Sequence, residues 1–179
     1  MNVSTSIRFA SLDAAEIALV ARVAAASNRL RLLPVAKIAT RLGNGSLYPI
    51  VTLFLLAARV EEALRFTASA ALSLLLAFTI YPLLKKFIAR TRPCDYDPSV
   101  ASELEPMDHY SCPSGHAMTA TAYAVSLMVA IPLAAPFAIA MCCTIAWSRV
   151  ALGHHYVSDV LAGAILGGTL ASIVTALLF

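Results

Sequence analysis

Charge is scarce in this sequence. Only 13% of its 179 residues are charged, against 60% apolar, and the mean hydropathy is +0.80. Soluble domains carry about a quarter charged residues. An ordinary soluble domain, a disordered tail and a nucleic-acid binder are therefore excluded. The net charge of +3 is too small to point to a polyanionic partner. Cysteine is sparse as well. The four residues, at 94, 112, 142 and 143, form no C-x-x-C and no Cys/His spacing that suits zinc. Cys142 and Cys143 fall in an apolar run and read as packing residues. Cys94 and Cys112 bracket a polar loop and would pair only in an oxidising compartment. There is no repeat of fixed period and no low-complexity tract. The N-terminus does not read as a signal peptide, because Asp13, Glu16 and Arg22 interrupt any apolar core. The length suits one domain, and the composition makes lipid its solvent.

What remains is apolar runs separated by short polar segments. Residues 1–10 carry no strong signal. Asp13 followed by Glu16 predicts a helix start there, with the helix running to about Ser27. Asn28 and Pro34 punctuate, and a second helix follows to about Leu42, with Val35, Ile38 and Leu42 on one face and Lys37 and Arg41 on another. Gly43-Asn44-Gly45 ends it. Both helices are too charged to span. They read either as an interfacial hairpin or as a cap packed on the membrane domain. Expected spans follow near 46–58, which is short, and at 66–84, whose helix continues to about Arg90. Two more are expected near 114–131 and 136–150, split by Pro132 and Pro136, and a last one at 160–179. Gly163, Gly167 and Gly168 in the last allow close helix packing. Residues 91–113, with prolines at 93, 98, 106 and 113, are the one long polar loop. The expected fold is all-α: a polytopic transmembrane bundle of about five spans with an N-terminal amphipathic helical hairpin.

Ionisable residues at membrane depth are costly and usually functional. Three groups of them fall on one predicted side of the bilayer: Lys85, Lys86, Arg90 and Arg92; Ser114, Gly115 and His116; and Ser148, Arg149, His154, His155 and Asp159. Lys85 and Arg92 are seven apart, which on a continuous helix puts both on one face, where two cations hold one phosphate. Each alone also fits snorkelling at a helix end. Pro113-Ser114-Gly115-His116 opens a helix, with Ser114 as a cap and free N–H groups suited to an anion. His155 and Asp159 are at i and i+4. If the helix begins that early, the carboxylate holds one ring nitrogen and leaves the other as a nucleophile.

Together these clusters resemble the type 2 phosphatidic acid phosphatase family, which shares its catalytic core with vanadium-dependent haloperoxidases. Its K-x6-R-P signature is met by Lys85, Arg92 and Pro93, its P-S-G-H by residues 113–116, and its S-R-x5-H-x3-D by Ser148, Arg149, His155 and Asp159. His154 lacks the spacing to Arg149 and Asp159 that His155 has. The resemblance covers roughly residues 45–175, and the N-terminal hairpin resembles that of the small bacterial undecaprenyl-diphosphate phosphatases. It implies one integral-membrane phosphatase domain over 1–179, with interfacial helices at 1–45 and a catalytic core at 46–179.

The implied chemistry is phosphoryl transfer without metal or cofactor, through a phosphohistidine. Lys85, Arg92, Arg149, Ser114 and Gly115 would surround the phosphoryl oxygens. His155 would attack, Asp159 would orient it, and His116 would serve as acid and then base. Several cations in one pocket would lower the pKa of His116, and Asp95, Asp97, Glu105 or Asp108 in the loop could offset this. The implied partner is a lipid phosphate entering from the bilayer. Undecaprenyl diphosphate is favoured over phosphatidate, phosphatidylglycerophosphate or a lipid A phosphate. A phosphotransferase and a non-catalytic lipid-phosphate transporter are the alternatives on the same scaffold. The family's precedent places the site on the periplasmic face of the bacterial inner membrane. The Lys/Arg count opposes this: Arg8, Arg22, Arg29, Arg31, Lys37 and Arg41 join the active side, against Arg59 and Arg65 on the other.

Overall fold

The computed structural model describes residues 3–100 and 104–179, with side chains from residue 11 onward. The side chain of Arg8, counted above, lies outside the described residues. Every regular element among the described residues is helical. The N-terminal hairpin consists of α1 (Val3–Arg29) and α2 (Leu33–Arg41). A turn at Leu42–Ser46, kinked at Gly45 with φ 121°, leads into α3 (Leu47–Ala57). The left-handed φ is one that glycine adopts without steric cost. α4 (Ala63–Ile88) is followed by the single turn α5 (Pro93–Tyr96) and by the polar loop. Then come α6 (Gly115–Ala130), α7 (Ala135–Ala151) and α8 (Val157–Leu178).

α6 is the axis of the bundle and packs against α4, α7 and α8. Ala117, Met118, Ala120, Ala122, Tyr123, Ala124 and Leu127 are all buried, so the helix has no solvent or lipid face of consequence. Its contact with α8 is close because α8 presents glycines. A Cβ on Gly163 would stand 2.3 Å from the Ser114 carbonyl oxygen, and one on Gly167 would stand 2.0 Å from that of Met118. Gly167→Ala therefore forces the two helices apart. The expected result is a loss of about 1–3 kcal/mol from overpacking, read as a lower Tm of the detergent-solubilised protein. Between α3, α4 and α6, Tyr123 stacks on Tyr48 at 4.8 Å and meets Phe66 edge-on at 5.2 Å. The phenols keep partners: Tyr123 donates to the Tyr48 carbonyl at 3.0 Å, and Tyr48 pairs with Thr119 at 3.0 Å.

Among the described residues, Ala63–Tyr96, Pro132–Ala151 and Val157–Leu178 are long and apolar enough to cross a membrane, and they coincide with three of the expected spans. Several expectations change. α3 and α6 are about 16 Å and 24 Å long at 1.5 Å per residue, short of a hydrocarbon core of about 30 Å. α1 does not begin at Asp13 but runs from Val3, so Asp13 and Glu16 lie inside it. Asp13, Val20 and Ser27, seven apart, form its buried stripe against the body. α2 buries Ala36, Ala39 and Thr40 and turns Val35 and Ile38 outward. α4 stops at Ile88, where Ala89 takes φ 51°, instead of reaching Arg90. Arg92 is extended (φ −77°, ψ 153°), as the residue before a proline prefers. Cys94 and Cys112 are free thiols.

Candidate active site

The three clusters meet in one pocket. Lys85 at the end of α4, Arg92 beyond it, Gly115 and His116 at the start of α6, Arg149 near the end of α7 and His155 before α8 all line it. Lys85 and Arg92 are brought together by the break after Ile88, not by a shared helical face. Ser114 and Asp159, the remaining two expected site residues, stand behind the lining. Ser114 caps α6, its side chain accepting from the Ala117 N–H at 3.5 Å, and its own N–H donates to the Asp159 carbonyl at 3.0 Å. That bond ties the second signature to the third. At Gly115 a Cβ would press on the Tyr81 ring at 3.1 Å, so the glycine admits a side chain of α4.

His155 lies in the extended stretch before α8, not on the helix. Its Nε2 is 3.4 Å from Arg92 Nη1, among the cations. Its Nδ1 is 3.7 Å from Asp159 Oδ2, an electrostatic neighbour rather than a hydrogen-bond partner. Burial, then the positive charges of Arg149, Arg92 and Lys85, hold the His155 imidazole well below its usual pKa. A neutral imidazole is what a nitrogen nucleophile requires. Asp159 is engaged elsewhere: Oδ2 accepts from the Tyr156 N–H at 2.9 Å, and Oδ1 from Arg90 Nη1 at 2.7 Å. His154 turns away from His155, its Nε2 lying 2.6 Å from the Leu104 carbonyl, while its own carbonyl accepts from Arg92 Nη1 at 2.6 Å. Burial and Arg149 push the His154 pKa down to about 3.

Four contributions were not legible in the motifs. Asn44, read as part of a helix terminator, accepts from His116 Nε2 through its Oδ1. Gly43 beside it leaves room for that ring, since a Cβ there would lie 3.2 Å from His116 Cδ2. Thr40 on α2 accepts from Arg149 Nη1 at 3.2 Å and pairs with Ser148 at 2.9 Å. Arg90 is a buried hub. Its guanidinium donates to Asp13 and Glu16 of α1, to Ser158 and to Asp159, and it lies 4.0 Å from the Tyr156 ring. Of Asp95, Asp97, Glu105 and Asp108, it is Asp108 that enters the pocket, paired with Lys85 and Arg92. Burial alone would raise its pKa, but Lys85, then Arg92, outweigh that and hold it below the usual carboxylate range. A signal for the hub was available: two acids at i and i+3 in a chain this apolar have to meet a cation.

A helical membrane protein with a pocket of cations and histidines at the ends of its helices is the class that fold and site define. Residues 66–179 match the PAP2 superfamily, and the chain belongs to that family. It is 38% identical over 98 residues to decaprenylphosphoryl-5-phosphoribose phosphatase of Mycobacterium tuberculosis, covering 55% of this chain and 53% of that protein. It is 31% identical over 121 residues to undecaprenyl-diphosphatase of Sulfolobus acidocaldarius, covering 66% and 57%. The chain thus spans about half the length of these curated relatives. Its fold resembles a transmembrane PAP2 type phosphatidylglycerolphosphate phosphatase from Bacillus subtilis, with a TM-score of 0.70 at 24% identity over 94% of this chain and 86% of that one. It also resembles Aquifex aeolicus LpxE, with 0.66 at 22% over 90% and 94%.

Proposed function

We propose that this protein is a membrane lipid phosphatase working through a phosphohistidine, without metal or cofactor. The convergence of Lys85, Arg92, Arg149, His116 and His155 on one pocket carries the reading. Lys85, Arg92, Arg149 and the Gly115 N–H would bind the phosphoryl oxygens and stabilise the charge of the transition state. His155 Nε2 would form a bond to phosphorus as the bond to the lipid-side oxygen breaks. His116 would give that oxygen a proton. Water would then attack the phosphohistidine, lose its proton to His116 and release phosphate, leaving His155 neutral again. Asp159 acts on His155 electrostatically across 3.7 Å and is held for that by Arg90. Ser114 serves as the cap that fixes Gly115 and His116.

The substrate we favour is a polyprenyl phosphate or diphosphate, of which undecaprenyl diphosphate is the first candidate. Both curated relatives act on polyprenyl-linked lipids by name. An apolar groove between α3 and α4, lined by Tyr48, Thr52, Ala70, Leu74 and Phe78, shares Phe78 with the pocket and suits a lipid chain. We place the site on the periplasmic face of the bacterial inner membrane and treat residues 1–179 as one domain, α1 being tied to the core through Arg90. Lys85, Arg90, Arg92 and Arg149 are buried by their chemistry and drop out of the topological charge count.

The test is phosphate release by the purified protein in detergent with excess EDTA. Undecaprenyl diphosphate, phosphatidate, phosphatidylglycerophosphate and a lipid A phosphate would be compared. The expected result is EDTA-resistant release, fastest from the polyprenyl lipid. Release that EDTA abolishes and Mg²⁺ restores would overturn the metal-free mechanism. New phospholipid in place of free phosphate would indicate a phosphotransferase.

A further inference from the structure

The pocket contains an anion that the mechanism above does not use. Lys85 Nζ lies 2.9 and 2.8 Å from the two carboxylate oxygens of Asp108, and Arg92 Nη2 lies 2.6 Å from one of them. Arg92 Nε also donates to the Asp108 carbonyl at 2.8 Å. A carboxylate held by both first-signature cations takes the place that phosphoryl oxygens would take. The cations are fixed, with side chains 7% and 2% exposed, whereas Asp108 is 42% exposed. It also sits on the polar loop rather than on a helix. Asp108 is thus the member of the cluster that is able to leave. Arg149 also lines the pocket, and its Nε has no hydrogen-bond partner among the described residues.

We propose that Asp108 is a charge filter: it competes for the phosphate position and lets only headgroups with a terminal phosphate take it. The proposal rests on the reading of the pocket as a lipid-phosphate site. A phosphodiester headgroup carries a single negative charge, the same as the carboxylate it would have to displace. The exchange gains no Coulomb energy and loses short, charge-assisted hydrogen bonds. A terminal phosphate carries close to two charges and three acceptor oxygens, and wins the exchange. The setting gives the filter its importance. Phosphodiester lipids surround a membrane-embedded pocket on all sides, and Lys85, Arg92 and Arg149 without Asp108 would hold them. Asp108 therefore determines specificity and does not touch the reacting atoms in the turnover complex.

The experiment compares wild type, Asp108→Asn and Asp108→Glu in mixed micelles. Inorganic phosphate binding is measured by calorimetry, and phosphate release is measured with increasing phosphatidylglycerol. Asp108→Asn is expected to bind inorganic phosphate about tenfold more tightly than wild type. Phosphatidylglycerol is expected to inhibit it at mole fractions that leave wild type unaffected. Asp108→Glu, which keeps the charge, is expected to keep the wild-type indifference to phosphatidylglycerol. Equal or weaker phosphate binding by Asp108→Asn, or no inhibition by phosphatidylglycerol, would overturn the filter. If Asp108→Asn does not fold, inhibition of Asp108→Glu by phosphatidylglycerol would overturn it instead. Failure of wild type and both variants to bind inorganic phosphate would overturn the phosphate-site reading itself, and the filter with it.

Discussion

Replacing His155 by alanine is expected to lower phosphate release by a factor on the order of 10⁴–10⁶, as removal of a covalent nucleophile does elsewhere. His155 is the candidate nucleophile because its Nε2 stands beside Arg92 Nη1 while burial and three cations keep the ring neutral. Lys85, Arg92 and Arg149 remain in the variant, so it is expected to bind inorganic phosphate still. Loss of turnover with binding retained separates a missing nucleophile from a collapsed pocket. Wild type given substrate labelled in the transferred phosphoryl group and quenched in alkaline detergent, where a phosphohistidine survives, should carry label on protein, and His155→Ala should not. Equal release from the variant would mean that another group attacks phosphorus. His154 is poorly placed to be that group, with its Nε2 at the Leu104 carbonyl.

Arg90→Met is expected to cost about 3–5 kcal/mol of stability, the range found when one partner of a buried ion pair is removed. The guanidinium is 1% exposed and faces carboxylates that are 6% (Asp13), 15% (Glu16) and 0% (Asp159) exposed. Without it, three acids converge in a dry interior with no counter-charge. At roughly 2–4 °C per kcal/mol for a chain of this size, Tm should fall by about 6–20 °C. Adding Asp13→Asn and Glu16→Gln should recover part of the loss, since both remove like charge from around Asp159. An Arg90→Met protein with wild-type Tm would mean that the hub is not a structural tie. The same variant should lose turnover even where it folds, because Arg90 holds the Asp159 oxygen that is not bonded to Tyr156. One guanidinium thereby links α1 to Asp159.

The three short signatures lie far apart in the sequence and converge on one pocket in the fold. Lys85, Arg92, Gly115, His116, Arg149 and His155 all arrive there. Local geometry was harder. The i, i+4 relation of His155 and Asp159 assumes helix, yet α8 starts at Val157, and Asp159 spends one oxygen on the Tyr156 N–H of its own helix start. The seven-residue spacing of Lys85 and Arg92 assumes helix too, and the chain breaks after Ile88. In both cases the partners still meet, by a backbone route that spacing does not encode.

Composition alone excluded an ordinary soluble domain, and the lengths of the uncharged runs together with glycine placement predicted a helical bundle whose last helix packs closely. Those are properties of each segment against lipid or against its neighbour, and apolar surface and small residues dictate them locally. The tertiary structure decided which charges face each other. Asp13 and Glu16 looked like a helix start and instead neutralise Arg90, 74 or more residues away. Asn44 looked like a helix stop and meets His116, 72 residues on. Asp108 was one of several equivalent loop acids until the loop's path set it between Lys85 and Arg92. A polar loop has no hydrophobic period to register it, and an ion pair has no sequence spacing. Both are fixed only when the bundle closes and every buried charge has to find a partner.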